Sequence, residues 1–313
     1  MVPSLMWAAP GSRVPWPPGG LLPEDLPRAE AIVRAAVQKA VRRDPGLGAG
    51  LIRMLFHDCF VEGCDGSILL DPTPVNPRPE KKGPANDGSQ RSYEVIDAAK
   101  RALEKACPGT VSCADVVAFA ARDASDLLSG SRISFAMPGG RLDGRRSLKS
   151  QTGVLPAPFA NFDTIARFAA NGLGIEDLVV LSGAHSVGRS HCSSFVAERI
   201  ASPSDMDAVL PAELRRQCPA SPSLGNDPVV AEDAVTPNAL EKQYYRNLLD
   251  RKVLFTSDAA LMSSAQTAGM VRGLARLDGT WEKKFTAATV KLASIGVKTG
   301  SDGEIRKKCR VVN

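Results

Sequence analysis

At 313 residues with 43% hydrophobic content, the chain is long enough to bury a large core as one domain or two closely joined lobes. Mean hydropathy is −0.10 and no run of 18 apolar residues occurs, so no segment is expected to span a membrane. The net charge of +5 comes from 39 Lys and Arg scattered among 34 Asp and Glu, which argues against a tract that grips nucleic acid.

Residues 1–27 are rich in Pro and Gly and are expected to be irregular. Their apolar start has no basic region before it and is interrupted by Pro3, so a signal peptide is poorly supported. From Glu30, the spacing of Ile32, Val33, Ala36, Val37 and Val41 predicts an amphipathic helix that stops at Asp44-Pro45-Gly46. A more apolar helix follows over 48–60. Further helices are expected near 92–106, 113–129, 161–171 and 176–184. Thr236 as N-cap with Pro237 after it predicts another helix start. A last helix carries Trp281, Phe285, Ala288, Leu292 and Ile295 on one face. Strand signals are few, around 133–138 ("ISFAMP") and in the "CRVVN" tail. The fold class is therefore mainly α, with minimal β and a division into two lobes expected.

Seven cysteines stand at 59, 64, 107, 113, 192, 218 and 309 with no CxxC knuckle. That pattern favours disulfides in an oxidising compartment over a structural zinc module. No Asn-x-Ser/Thr sequon accompanies them.

The densest chemistry lies in "RMLFHDCFVEGCDGS", residues 53–67. Arg53 and His57 are i,i+4 on the expected helix and share a face with Phe56 beside them. A lone inward-facing His is more often a core residue. With a guanidinium one turn away, it pairs a proton acceptor with an anion stabiliser. Asp58, Asp65 and Ser67, with carbonyls of Val61 and Gly63, form an oxygen-rich set suited to Ca²⁺. A zinc site of His57, Cys59, Cys64 and Asp65 competes, but Arg53 would set a positive charge beside that metal. The second candidate, His185, ends the apolar stripe of Leu178 and Leu181, as a cap, a core residue or a ligand. Two His on separate buried helices suit a haem, with an axial ligand on one face and an acid/base group on the other.

The segments "LIRMLFHDCFVEGCDGSILL", "VSCADVVAFAARD", "GRLDGR", "LPAPF", "DLVVLSGAHSVGRSHC", "TPNALEKQYYRNLL", "LFTSDAALM" and "EIRKKCRVVN" occur in the order found in class III (secretory plant) haem peroxidases. The chain resembles that family from about residue 28 to 313. The resemblance implies a plant-peroxidase-like helical domain over 28–313, with two lobes enclosing one haem b and two Ca²⁺ ions. It implies His185 as axial iron ligand, supported by Asp258. His57 would be the acid/base group, Arg53 the charge stabiliser, Asn86 the holder of His57, and Phe56 a shield over the oxidised centre. Pro156 would help hold donors, and Asp115 and Arg141 would form a buried ion pair. The distal Ca²⁺ site would use Asp58, Val61, Gly63, Asp65 and Ser67, linked through Glu80 to Asn86. The proximal site would use Ser186, Asp233, Thr236, Ala239 and Glu241.

The implied disulfides are Cys59–Cys64, Cys113–Cys309 and Cys192–Cys218, with Cys107 as a thiol outside all three. Leu26 stands where the family has the Cys that pairs at the position of Cys107. The missing bridge would close a loop of about 80 residues, nominally worth about 4 kcal/mol, so reduced thermal tolerance is expected. Glu241 replaces an Asp in the proximal set, and Leu142 replaces an Arg in "GRLDGR". The implied activity is reduction of H₂O₂ with one-electron oxidation of small phenolic donors, by a monomeric protein secreted to the cell wall or sent to the vacuole. Neither nucleic acid nor a membrane is an expected partner. The alternative is a weakly active, haem-poor relative acting as a calcium-binding wall protein.

Overall fold

The computed structural model describes residues 26–161, 163–201 and 205–313. The expected irregular segment 1–27 falls outside these, except for the backbone of Leu26 and Pro27. There the first helix, α1 (Leu26–Arg43), already begins, four residues before the expected Glu30. The side chain at position 26, on which the missing-bridge expectation turns, is outside the described residues.

Helix α2 (Pro45–Cys59) starts where the sequence supplies both start signals. Asp44 is extended and its carboxylate accepts from the Gly46 N–H at 2.8 Å, while Pro45 occupies the first turn. Helices α3 (Tyr93–Ala106) and α4 (Cys113–Leu128) follow. Fifteen of the sixteen α4 residues are buried, so this helix is the centre of the first lobe, with α1 and α2 packed on it. Its N-terminus is closed by Ser112, which accepts from Asp115 N–H. The Asp143 carboxylate closes it from outside, accepting from Cys113 and Ala114 N–H at 3.0 and 2.8 Å. The Asp115–Arg141 pair forms at 2.8 Å with both side chains buried, and Arg141 also donates to the Ala293 carbonyl.

The second lobe holds α5 (Asp163–Ala170), α6 (Ile175–Ser182), α7 (Leu210–Gln217), α8 (Gln243–Leu249), α9 (Thr256–Ala259), α10 (Ala265–Arg276) and α11 (Thr280–Leu292). Between α6 and α8 lie two three-residue strands, β1 (Arg189–His191) and β2 (Val229–Ala231). They pair antiparallel with Ser190 opposite Val230. A smaller apolar cluster around Phe195, Val230 and Phe255 sits beside them, apart from the main core. The architecture is mainly helical with minimal β, as the sequence predicts.

Three expected elements differ. The 133–138 stretch forms no strand; its Ile133 N–H donates to Ser129 Oγ and its Pro138 carbonyl accepts from Arg141. The "CRVVN" tail forms turns, and the adjacent ladder contact is a single bridge between Asp143 and Glu304. The helix predicted from Thr236 starts only at Gln243. The Asp233 carboxylate captures the Val235 and Thr236 N–H groups in a turn, at 2.7 and 3.1 Å, so Thr236 caps nothing.

All three implied disulfides form, Cys59–Cys64, Cys113–Cys309 and Cys192–Cys218, and Cys107 stands outside them. The first bridge closes the loop after α2. That loop crosses the end of α11 backbone to backbone, where Cys64 N–H donates to Ile295 O. Gly63 (φ +98°) and Gly296 (φ +53°) make the crossing, and a Cβ on Gly63 would lie 2.5 Å from the Gly296 oxygen.

Candidate active site

A cavity of about 1320 Å³ opens between the two lobes. Arg53, Phe56 and His57 of α2 line one wall. Leu178, Leu181 and His185 line the other, with Phe255 and Asp258 behind, and Pro156 also borders the space. The sequence therefore placed the two histidines on different elements, and the fold turns both onto one volume.

On the α2 wall, Asn86 Nδ2 donates to the Glu80 backbone carbonyl at 2.8 Å, which turns its Oδ1 toward His57. The distance from His57 Nδ1 to that oxygen is 2.6 Å, so Nδ1 carries the proton and Nε2 is the acceptor. Burial, reinforced by the Arg53 charge, pushes His57 down to about 3, so the ring is neutral. Arg53 donates from Nε to His57 Nε2 at 3.2 Å. Its other arm is anchored on the Ala85 carbonyl at 2.6 Å and Ser89 Oγ at 3.2 Å. Burial lowers the Arg53 pKa without neutralising a guanidinium. Phe56 packs on Phe60 and Phe168 at 4.7 and 5.9 Å, giving this wall an apolar flank.

The opposite wall is built by the single 3₁₀ turn that follows α6, residues Gly183–Ser186. Tyr245 Oη donates to the Val179 and Val180 carbonyls, and Trp281 Nε1 to Val180, satisfying the end of α6 from below. Gly183 is where these rings press closest, since a Cβ there would meet Trp281 Nε1 at 2.6 Å. The turn lifts His185 into the cavity, and the 39% of its side chain that is exposed faces that space. Its Nδ1 donates to Asp258 Oδ1 at 2.9 Å, and Tyr244 Oη donates to the same oxygen at 2.7 Å. Burial opposes a charge on His185, but the Asp258 carboxylate prevails and lifts it to about 9.

Fit to a haem rests on these observations. The cavity is mostly apolar-lined, and each histidine has Nδ1 engaged by a fixed acceptor, which leaves Nε2 for the cavity. Fit to Ca²⁺ differs between the two expected sites. Beside the Cys59–Cys64 loop, Ser67 Oγ and both Glu80 carboxylate oxygens are buried without a hydrogen-bond partner. Burial and the neighbouring Asp65 push Asp58 up to about 8. Burial with Asp58 and Asp65 pushes Glu80 to about 9. Crowded, undersatisfied hard oxygens of this kind suit a divalent cation. Lys298 Nζ lies 3.1 Å from Asp65 Oδ2. Among the described residues no three His, Cys, Asp or Glu side chains cluster to hold a metal, so carbonyls and the Ser67 hydroxyl must supply the remaining donors. Zinc is disfavoured because Cys59 and Cys64 are bonded to each other.

The proximal set fits less well. Ser186 and Asp233 are buried, but the Asp233 oxygens already accept from Val235, Thr236 N–H and Thr236 Oγ. Ser186 Oγ accepts from Glu241 N–H, and the Glu241 carboxylate turns to Arg132 at 3.5 Å. Ala239 belongs to the same turn, its N–H donating to Thr236 O.

Sequence reasoning missed Ser89, Tyr244, Phe255 and Glu232 as cavity or second-layer residues. The signal for Tyr244 was available in "QYYRNLL", two adjacent aromatics on a short helix. The other three are brought in by tertiary contacts alone.

The family model described as "Peroxidase" matches residues 33–276. "Peroxidase 2" of Zea mays is 57% identical over 289 residues, covering 92% of this chain and 86% of that protein. "Peroxidase 5" of Vitis vinifera is 45% identical, covering 91% and 88%. "Peroxidase 67" of Arabidopsis thaliana is 40% identical, covering 93% and 92%.

Proposed function

This chain belongs to the peroxidase family and is a haem peroxidase, and from that premise we propose how its residues share the reduction of H₂O₂ by donor substrates. The observation that carries the reading is the pair of histidines facing one cavity from opposite walls, each oriented by a hydrogen bond at Nδ1. Residues 28–313 act as one haem-binding domain. His185 would hold the haem iron through Nε2. Asp258 holds its Nδ1–H, and Tyr244 holds the carboxylate, which raises the basicity of the imidazole. Bound haem b supplies a redox-active iron from which oxidising equivalents are drawn one electron at a time.

The α2 wall handles the protons. Peroxide displaces the Arg53 N–H from His57 Nε2, and that nitrogen takes the proton from the inner peroxide oxygen. His57 would then return it to the outer oxygen, which leaves as water with the two electrons that bound haem supplies for O–O cleavage; two donors repay these singly as the inner oxygen is also reduced to water, and the Arg53 guanidinium would balance the negative charge that develops. Asn86 keeps Nδ1 protonated throughout, so only Nε2 trades protons. Phe56 keeps bulky donors off this wall, and Pro156 borders the side where small phenols approach. One Ca²⁺ would be held by Asp58, Val61, Gly63, Asp65 and Ser67 with Glu80 behind. A second would be held by Ser186, Asp233, Thr236, Ala239 and Glu241, with the Glu241 carboxylate turned away from Arg132. Three disulfides suit an oxidising compartment, the cell wall or the vacuole, and the protein works as a monomer. Among the described residues no helix is long and apolar enough to cross a membrane.

The haem-poor alternative is not favoured, since both cavity walls carry their histidine with its partner. The test is the visible spectrum of the haem-reconstituted protein. A Soret band that shifts on adding H₂O₂ is expected. His57→Ala should keep the band and slow the shift by about two to four orders of magnitude. His185→Ala should weaken haem retention. No Soret change with peroxide in the wild type would end the proposal.

A further inference from the structure

The wall that carries His185 holds a second carboxylate for which the scheme above has no use. Glu232 follows β2 directly. Its N–H donates to the Gly188 carbonyl at 3.2 Å, extending the β1–β2 ladder by one step and fixing its backbone beside the turn after His185. The side chain lines the cavity with His185, Phe255 and Asp258. It stands over Gly188, where a Cβ would be 3.9 Å from both its Cδ and Oε1 and 3.5 Å from the Ala49 methyl, so only backbone and that methyl face it there. Among the described residues nothing donates a hydrogen bond to this carboxylate. Its place in the cavity lining beside His185 sets it on the His185 side of the space.

We infer that Glu232 is an electrostatic positioning residue of the haem site, whose negative charge adds to that of Asp258 and lowers the reduction potential of the iron that His185 holds. The inference rests on the reading of His185 as the axial ligand. A fixed carboxylate in a cavity of low dielectric stabilises the oxidised, more positive metal more than the reduced one. Asp258 acts through the imidazole, to which it is hydrogen-bonded. Glu232 has no such bond and acts through space, so its effect follows charge and tolerates a change in length.

The experiment is a spectroelectrochemical titration of the haem-loaded protein at pH 8.5, comparing wild type with Glu232→Gln, Glu232→Asp and Asp258→Asn. Glu232→Gln is expected to shift the Fe(III)/Fe(II) equilibrium about tenfold toward the reduced form, which is about 59 mV more positive for a one-electron couple. Glu232→Asp, which keeps the charge, should stay close to wild type. A Glu232→Gln potential equal to wild type, while Asp258→Asn shifts, overturns the inference and leaves the ligand reading standing. Loss of haem from both Glu232 variants overturns it as well, because the residue would then be a packing requirement. A His185→Ala protein with unchanged haem spectrum sinks the ligand reading, and the inference with it.

Discussion

His57 is kept neutral by its position, and that has a thermodynamic cost at low pH. Its folded pKa, about 3, lies below the ordinary 6.5 because the ring is buried beside Arg53. As pH falls through 6.5 the unfolded chain binds a proton that the folded protein refuses. Stability is thus fully present above 6.5 and is lost as pH falls toward 3, by up to about 1.4 kcal/mol per pH unit from this group. Melting temperatures of wild type and His57→Gln between pH 7 and 4 should converge as the wild type loses this contribution. Parallel curves would show that the ring is not the source. The Arg53–His57 pair was readable because i,i+4 spacing on a helix is a local consequence of backbone geometry. Asn86 was not readable that way, since its amide reaches His57 across 29 residues of chain and only the family resemblance pointed to it.

At the scale of elements, the proposed distal Ca²⁺ bears on the loop after α2. Asp58, Asp65 and Glu80 are each buried, and Lys298 pairs with Asp65 at 3.1 Å. Chelation of Ca²⁺ should therefore lower the melting temperature by several degrees, and Asp65→Asn should reduce that dependence. Calorimetry with and without EGTA measures both, and a chelator-insensitive wild type would remove the distal site. The long helices were legible because their apolar stripes are long enough to carry a period, as in α1, α4 and α11. The strands β1 and β2 are three residues each and have no room for alternation to register. The helix expected at Thr236 failed for a nameable reason: Asp233, three residues upstream, takes the N–H groups that a helix start would expose. The residues that lead into α8 are instead tied to α4, Leu240 N–H donating to Leu128 O.

Across the whole molecule, the longest covalent constraint joins the start of α4 to the tail. Cys113 and Cys309 are separated by 196 residues, and a loop of that length corresponds nominally to about 5 kcal/mol in the chain-entropy treatment. Cys309→Ser should lower the melting temperature more than removal of Cys59–Cys64, whose loop spans five residues. An equal loss from the two would contradict the ordering by loop length. Two lobes are an expectation of the element pattern, but the cavity between them is implied by the resemblance alone, because no local pattern announces a cavity. It exists only once α2 and the turn after α6 face each other.

The crossing of Gly63 and Gly296 ties those two sides together by a different route. One glycine belongs to the loop that leaves α2, the other to the end of α11, and α11 packs against α6 beneath His185. Any side chain at either position forces the same two strands of backbone apart. The first substitution should thus be severe and the second nearly silent, a strongly non-additive pair despite the length of chain between them. In the language of sequence drift, these two positions share one opportunity to fail: a lineage that has lost either glycine gains little by keeping the other.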